Sequence, residues 1–336
     1  MNKRYRGLRL AALCCAVFGM TMNTGATAAT QASGSATNWA PVVAKGAELT
    51  LVSNQFAFVE GPAADASGNV YFTDRPNNQI WKYSTDGDLS VFLKEAGRAD
   101  GLYFDAQRNL IAAADAHGQL WSIASDGQVD VLLDNVNGHQ LNGPNDLWVA
   151  PGGGIYFTDP YYQRKYWLRQ SQDLPGEDVY YLAPGSDAAV KVIDDMVKPN
   201  GIIGTPDGRT LYVSDFGAEQ TWRYTIDPDG NLSDKTLFTS MRSDGMTLDA
   251  EGNVYLTGHG VTIFDRAGRR IGHIPIDQKW TGNVTFGGPQ DRTLFITATH
   301  GIYTLPMSVA GAATAVMQAA ADRSAAATGM ASETTK

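Results

Sequence analysis

The stretch RSDGMTLDAEGNVYLTGHG, residues 242–260, reads as a strand, a tight turn around Glu251-Gly252-Asn253, and a second strand. Its second half recurs along the chain. Six copies of a small turn followed by a β-rich run stand at ASGNVYFTD, AQRNLIAAAD, PGGGIYFTD, PDGRTLYVSD, AEGNVYLTG and PQDRTLFITA. Their central residues are Tyr71, Ile111, Tyr156, Tyr212, Tyr255 and Phe295, which are 40, 45, 56, 43 and 40 residues apart. A period of this length marks a repeat architecture, and it has to be found before any single element is assigned.

Each copy is followed by another β-rich run: QIWKYSTDG, QLWSIASDG, DVYYLAPGS, QTWRYTIDPDG, VTIFDRAG and GIYTLPM. Five of these lead into a further one: LSVFLK, VDVLLDN, VKVIDD, KTLFTS and RIGHIPI. The last unit lacks that outer strand, and AELTLVSNQF at 47–56 supplies a candidate from the other end of the chain. Four strands per unit, six units and a closing N-terminal strand define an all-β, six-bladed β-propeller. Closure leaves only short, protected edges, so the ring needs no disulfide.

The segment preceding each copy carries an acid or an amide. Counting back 11 or 12 residues from the six centres gives Glu60, Asp100, Asn145, Asn200, Asp244 and Asn283. All six stand at the entrance of an innermost strand, so the expectation is a ring of oxygen-bearing groups around the channel axis. Carboxylates crowded there repel one another and take up protons unless a cation sits among them. Oxygen donors without His or Cys select a hard ion, Ca²⁺ before Mg²⁺ because Ca²⁺ tolerates an irregular shell of 6–8 ligands. With two formal charges, from Glu60 and Asp244, affinity on the order of 10⁻⁶–10⁻³ M is expected.

Loops joining the second and third strands share the face of those entrances. They are TDRPNN, ADAHG, the long DPYYQRKYWLRQSQDLPGED, SDFGAE, TGHG and ATHG. His117, His259 and His300 lie in them, as does Tyr161 of the 160–177 insertion, and these four are candidate substrate contacts. The insertion, rich in aromatic and basic residues, is either a lid shaping substrate choice or a surface decoration.

Outside the repeats, Lys3, Arg4, Arg6 and Arg9 precede LAALCCAVFGM and the small-residue run Ala26-Thr27-Ala28. That is the layout of a secretory signal, residues 1–28, followed by a flexible leader over 29–46. The propeller domain is expected over 47–306 and an Ala-rich low-complexity tail over 307–336. Export to the periplasm or beyond removes Cys14 and Cys15, the only cysteines. It also removes four positive charges, leaving 26 − 4 = 22 Lys and Arg against 35 Asp and Glu. Such an acidic surface disfavours nucleic acid or, once the signal is cleaved, anionic membrane as partner. No G-x-S-x-G, H-E-x-x-H, Walker or dinucleotide motif is present, which disfavours the corresponding hydrolase and nicotinamide chemistries.

VEGP, LNGPNDLWV with GGIYFTDPYY, KPNGI, SDGMTLDAEGNVYLT and WTGNVTFGG together resemble the senescence-marker-protein/gluconolactonase/luciferin-regenerating-enzyme family, of which regucalcin is the best-known member. The likeness runs over about 55–305. It implies a six-bladed propeller with one divalent cation, most simply Ca²⁺, with Mg²⁺, Mn²⁺ or Zn²⁺ as alternatives. It further implies that Glu60, Asn145, Asn200 and Asp244 hold the ion, that Asp244 is the acid–base residue, and that a sugar lactone is the substrate. Asp100 and Asn283 are left as substrate or water contacts; relatives often have Asn-Gly-Leu where this chain has Asp100-Gly-Leu. Two other readings use the same cup: a phosphotriesterase-like hydrolase, and a binding module with a structural ion.

Overall fold

A computed structural model describes residues 39 and 41–312 of the chain. It forms six antiparallel four-stranded sheets. β1 (Thr50–Ser53) stands apart at the start; blade 1 is then β2 (Val59–Ala64), β3 (Val70–Asp74), β4 (Gln79–Tyr83) and β5 (Leu89–Lys94). Blade 2 is β6 (Leu102–Phe104), β7 (Leu110–Ala114), β8 (Gln119–Ile123) and β9 (Val129–Leu133). Blade 3 is β10 (Leu147–Val149), β11 (Ile155–Asp159), β12 (Asp178–Leu182) and β13 (Ala189–Ile193). β14 (Pro199–Gly204), β15 (Thr210–Asp215), β16 (Gln220–Ile226) and β17 (Leu232–Thr239) make blade 4. β18 (Met246–Leu248), β19 (Val254–Gly258), β20 (Gly260–Phe264) and β21 (Arg270–Ile274) make blade 5. The sixth blade joins β22 (Asn283–Gly287), β23 (Thr293–Ala298) and β24 (Gly301–Pro306) to β1.

The expected β-propeller and its N-terminal closing strand are therefore both present. Thr50 pairs with Thr304 and Leu51 with Tyr303, and a bulge then brings Ser53 opposite Ile302. Behind this seam Phe56, Val59, Phe72, Phe295 and Ile302 form one buried cluster, with the Phe72 and Phe295 rings 5.5 Å apart. Non-covalent closure thus rests on a ladder and a packed apolar wedge.

Burial follows position within the blade. The second strands β7, β11 and β19 are buried at every residue, because blades stack face to face and cover both sides. That is why LIAAA and IYFTD read as continuous rather than alternating runs. Outer strands such as β9 and β13 keep two adjacent exposed residues. Large apolar side chains fill the gaps between blades: Trp148, Tyr156, Tyr212 and Met246 belong to one cluster spanning blades 3 to 5.

The segments flanking the ring pack onto it. Val43 bridges to Met307, and Val42, Met307, Val309 and Ala312 are buried. Ala250 N donates to Ala310 O at 2.8 Å and Gly311 N to Asp291 O at 2.9 Å. The expected signal, most of the leader and residues 313–336 lie outside the described residues.

Candidate functional site

Hydrogen bonding fixes which residues are equivalent around the channel. Asn145 N donates to Thr158 O and Gly282 N donates to Thr297 O, both at 2.9 Å. One residue deeper, Asp146 N meets Thr158 Oγ1, Gly245 N meets Thr257 Oγ1 and Asn283 N meets Thr297 Oγ1, at 2.9–3.1 Å. The upper layer is therefore Glu60, Asp100, Asn145, Asn200, Asp244 and Gly282. Asn283, expected in that ring, sits one step below it, level with Asp146 and Gly245. The physical reason is the turn before β23. A short 3₁₀ segment, Pro289–Asp291, absorbs an extra residue there, and counting back from Phe295 lands one place too far along the chain.

The vacancy at Gly282 is used. A Cβ at that position would collide with the Glu60 carboxyl, so Glu60 leans into the space that blade 6 leaves empty. The layer beneath works in the opposite sense. Gly101 and Gly245 leave room for the Asp146 and Asn283 side chains, which fold back to accept the N–H of Leu147 and Val284 at 2.9 and 2.8 Å. Glycine is needed here for close approach between blades.

The five side chains of the upper layer come together. Asn145 Nδ2 donates to Asp100 Oδ2 at 3.1 Å, and Asn200 Nδ2 donates to Asp244 Oδ1 at 2.9 Å. Each amide thereby spends its donor on a neighbouring acid. Asn200 Oδ1 is left buried with no hydrogen-bond partner, which is costly for a polar atom. Glu60, Asp100, Asn145 and Asn200 are buried, while Asp244 is partly exposed. Burial, then Asp244 and Asp100, raise the Glu60 pKa well above the usual carboxylate range. Burial pushes Asp244 up to about 6, with Asp100 adding to the rise and the Trp280 hydrogen bond opposing it.

These features fit a hard cation: an unpartnered carbonyl oxygen and two acids held at a cost, without nitrogen or sulfur donors. Among the described residues no three His, Cys, Asp or Glu side chains are disposed to hold an ion by themselves. Beside the acids stand the two amides Asn145 and Asn200, which could add oxygen donors.

Other residues reach this cup. Trp280 Nε1 donates to Asp244 Oδ2 at 2.6 Å. Arg75 Nη1 pairs with Asp100 Oδ2 at 2.5 Å. Burial opposes the Arg75 charge, but Asp100, Asp115 and Glu60 more than offset it and its pKa is raised. From the 160–177 insertion, Tyr162 OH accepts from Asn200 Nδ2 at 3.2 Å. Tyr161 does not make this contact; its hydroxyl bonds to Gln163 within the same loop. The insertion is pinned rather than free: Arg164 Nε and Tyr166 OH each reach Asp115 Oδ2 at 2.7 Å, and Arg169 Nη1 reaches Leu141 O at 2.8 Å.

The three loop histidines lie further out. His117 is exposed and stacks 6.0 Å from Trp121, and His300 Nδ1 is 3.1 Å from Phe56 O at the closing seam. His259 packs edge-on against Trp280, 5.3 Å away, and so touches the partner of Asp244.

A second set of residues holds the ring in place. Asp74, Asp159 and Asp215 end the second strand of blades 1, 3 and 4, where their carboxylates accept backbone N–H groups just ahead of Glu60, Asn145 and Asn200. The bonds run to Phe58 N at 3.2 Å, Asn142 and Gly143 N at 2.8 Å, and Lys198 N at 3.0 Å. The recurring Thr-Asp or Ser-Asp at the end of the repeat was their signal. Blade 2 has Ala114 at that place, and the next residue, Asp115, ties down the insertion instead. Tyr162, Trp280, Arg75 and Arg164 carry no repeat signal.

Below the cup the channel widens into a cavity of about 610 Å³ lined by residues such as Tyr103, Trp148, Met246 and Phe286 and flanked by Gly311 and Ala312. Asp146 faces it, its pKa pushed up to about 8 by burial.

A six-bladed propeller with a cup of acids and amides at one mouth of its channel defines the class. The SMP-30/gluconolactonase/LRE-like region matches residues 58–300, and the chain belongs to that family. A gluconolactonase of Zymomonas mobilis is 27% identical over 286 residues, 76% of this chain and 80% of that protein. A 6-deoxy-6-sulfogluconolactonase of Pseudomonas putida is 28% identical over 178 residues, half of this chain and 58% of that one. Among solved structures, a gluconolactonase from Xanthomonas campestris is 29% identical with a TM-score of 0.75, covering 80% of this chain and 94% of that one. A calcium-binding regucalcin from Agrobacterium tumefaciens is 20% identical with a TM-score of 0.65, over 78% of this chain and 94% of that one, a likeness of fold.

Proposed function

We propose that the chain is a metal-dependent enzyme that opens small lactones, with a sugar lactone as substrate and the cup as its active site. The observation that carries this reading is the unpartnered Asn200 Oδ1 beside Asp244, in a chain whose relatives include gluconolactonases. Glu60, Asn145, Asn200 and Asp244 would hold the cation, with Ca²⁺ favoured by the all-oxygen donors. When bound, the ion supplies Lewis-acid polarisation of the lactone carbonyl.

The side chains do the rest. Asp244 is the group placed to move a proton, because it is partly exposed while its two oxygens are aimed by Asn200 and Trp280. As a carboxylate it takes a proton from the attacking water. The water oxygen bonds to the carbonyl carbon, the ring C–O bond breaks, and the proton passes to the departing alkoxide. General base assistance of this kind is worth about 10²–10⁴-fold. Asp100, neutralised by Arg75, keeps the amide of Asn145 oriented and is not itself placed as a base.

A pH-stat screen of γ- and δ-lactones on chelator-stripped protein, with Ca²⁺, Mg²⁺, Mn²⁺ or Zn²⁺ added back, tests the proposal. Lactone opening that disappears on stripping and returns with Ca²⁺ supports it. No opening with any ion, or turnover of an aryl phosphotriester alone, overturns it. We further propose that residues 1–28 direct export; N-terminal sequencing of the native protein should then begin at Ala29, and an intact Met1 would count against it.

A further inference from the structure

The Tyr162 hydroxyl is a polar group at the cup whose own proton has no acceptor among the described residues. Its recorded partner among the described residues is the Asn200 amide, which donates to it, so the phenol oxygen accepts and the O–H remains available. Resting on the lactonase reading, we propose that Tyr162 is a substrate-contacting residue that donates this hydrogen bond to a hydroxyl group of a sugar-type lactone, and that the 160–177 insertion is the fixed wall that presents it.

The ring is held from two sides. The Lys198 ammonium lies 4.5 Å from its centroid and the Arg164 guanidinium 5.3 Å. Both cations are themselves tied: Lys198 to Glu177 at 2.8 Å and to Tyr161 O at 2.9 Å, and Arg164 to Asp115 at 2.7 Å. The insertion is thus closed over its own root by ion pairs, and it cannot open as a lid without breaking them. Tyr162 is half-exposed, so a ligand entering from solvent meets it. It shares the Asn200 amide with Asp244, so the phenol stands at the cup beside the proposed proton carrier. A polar ligand contact of this kind disfavours analogues that lack the matching group.

Tyr162→Phe keeps the ring and both cation contacts and removes only the hydroxyl. Three quantities are compared with wild type: kcat/KM for glucono-δ-lactone, kcat/KM for unsubstituted δ-valerolactone, and Ca²⁺ affinity by calorimetry. The expected result is a loss of about tenfold for the hydroxylated lactone, the size of one ordinary hydrogen bond. δ-Valerolactone should stay within twofold and Ca²⁺ affinity should be unchanged. Tyr161→Phe, altering the neighbour, should leave all three alone. Equal losses on both lactones, no loss on either, or a loss that tracks weakened Ca²⁺ binding would overturn the proposal. If wild type itself opens no lactone, the lactonase reading fails first; if wild type is active and Tyr162→Phe matches it, only the role of Tyr162 fails.

Discussion

The carboxyl of Glu60 occupies the space that a side chain at Gly282 would need. Blade 6 gives up its place in the ring, and blade 1 fills it with an acid.

Gly282→Ala should therefore act at a distance from its own chemistry. The added methyl must displace the Glu60 carboxyl, because the site is closed by blade 1. Ca²⁺ affinity should fall at least tenfold, read by calorimetry, with the strand pairing of β22 and β23 intact by circular dichroism. Unchanged affinity would show that Glu60 is not held by this contact.

Asp244→Asn removes the proton carrier and keeps the hydrogen bond to Asn200 in modified form. Turnover should drop about 10²–10⁴-fold while the melting temperature holds or rises, since a desolvated charge repelled by Asp100 is lost. Near-normal kcat in this variant would exclude Asp244 as the base.

The acids of the channel set a pH dependence. Glu60, Asp244 and Asp146 all have folded pKa values raised above their unfolded ones, mainly by burial. In that window the folded protein binds more protons than the unfolded chain, so stability is lost as pH rises. Cation-free protein should melt progressively lower between about pH 4 and pH 8. Ca²⁺ should restore most at the high end, where Asp244 is charged. A stripped protein whose melting temperature climbs over that range would contradict these assignments.

Asp159 braces the loop that delivers Asn145. Asp159→Ala leaves the N–H groups of Asn142 and Gly143 without their acceptor inside the fold. A cost of about 3 kcal/mol is expected by denaturant titration, at 1–3 kcal/mol per orphaned donor. Ca²⁺ affinity should fall with it, because Asn145 loses its anchor.

Much of this was legible in the sequence because it was written six times. Tyr71 to Phe295 mark the second strands, and the missing outer strand of the last unit pointed to Thr50–Ser53. Counting back reached Glu60, Asp100, Asn145, Asn200 and Asp244, since the first two strands of blades 1 to 5 are joined by turns of nearly constant length. It slipped at Asn283, where a 3₁₀ turn lengthens the hairpin and breaks the count. Tyr162, Trp280 and Arg75 were not legible, because loops are not periodic and their aim depends on tertiary pins such as Arg164 to Asp115. Of the loop histidines, His117 stacks on Trp121 and His300 meets a backbone carbonyl.

The central claim is that one hard cation sits at the hub of the wheel. Diffraction from crystals soaked in Ca²⁺, or in Tb³⁺ for its anomalous signal, tests it directly. The expected result is a single strong peak with oxygens of Glu60, Asn145, Asn200 and Asp244 at about 2.3–2.6 Å. A cup that stays free of the ion at millimolar concentration, or a peak held by other residues, would refute it.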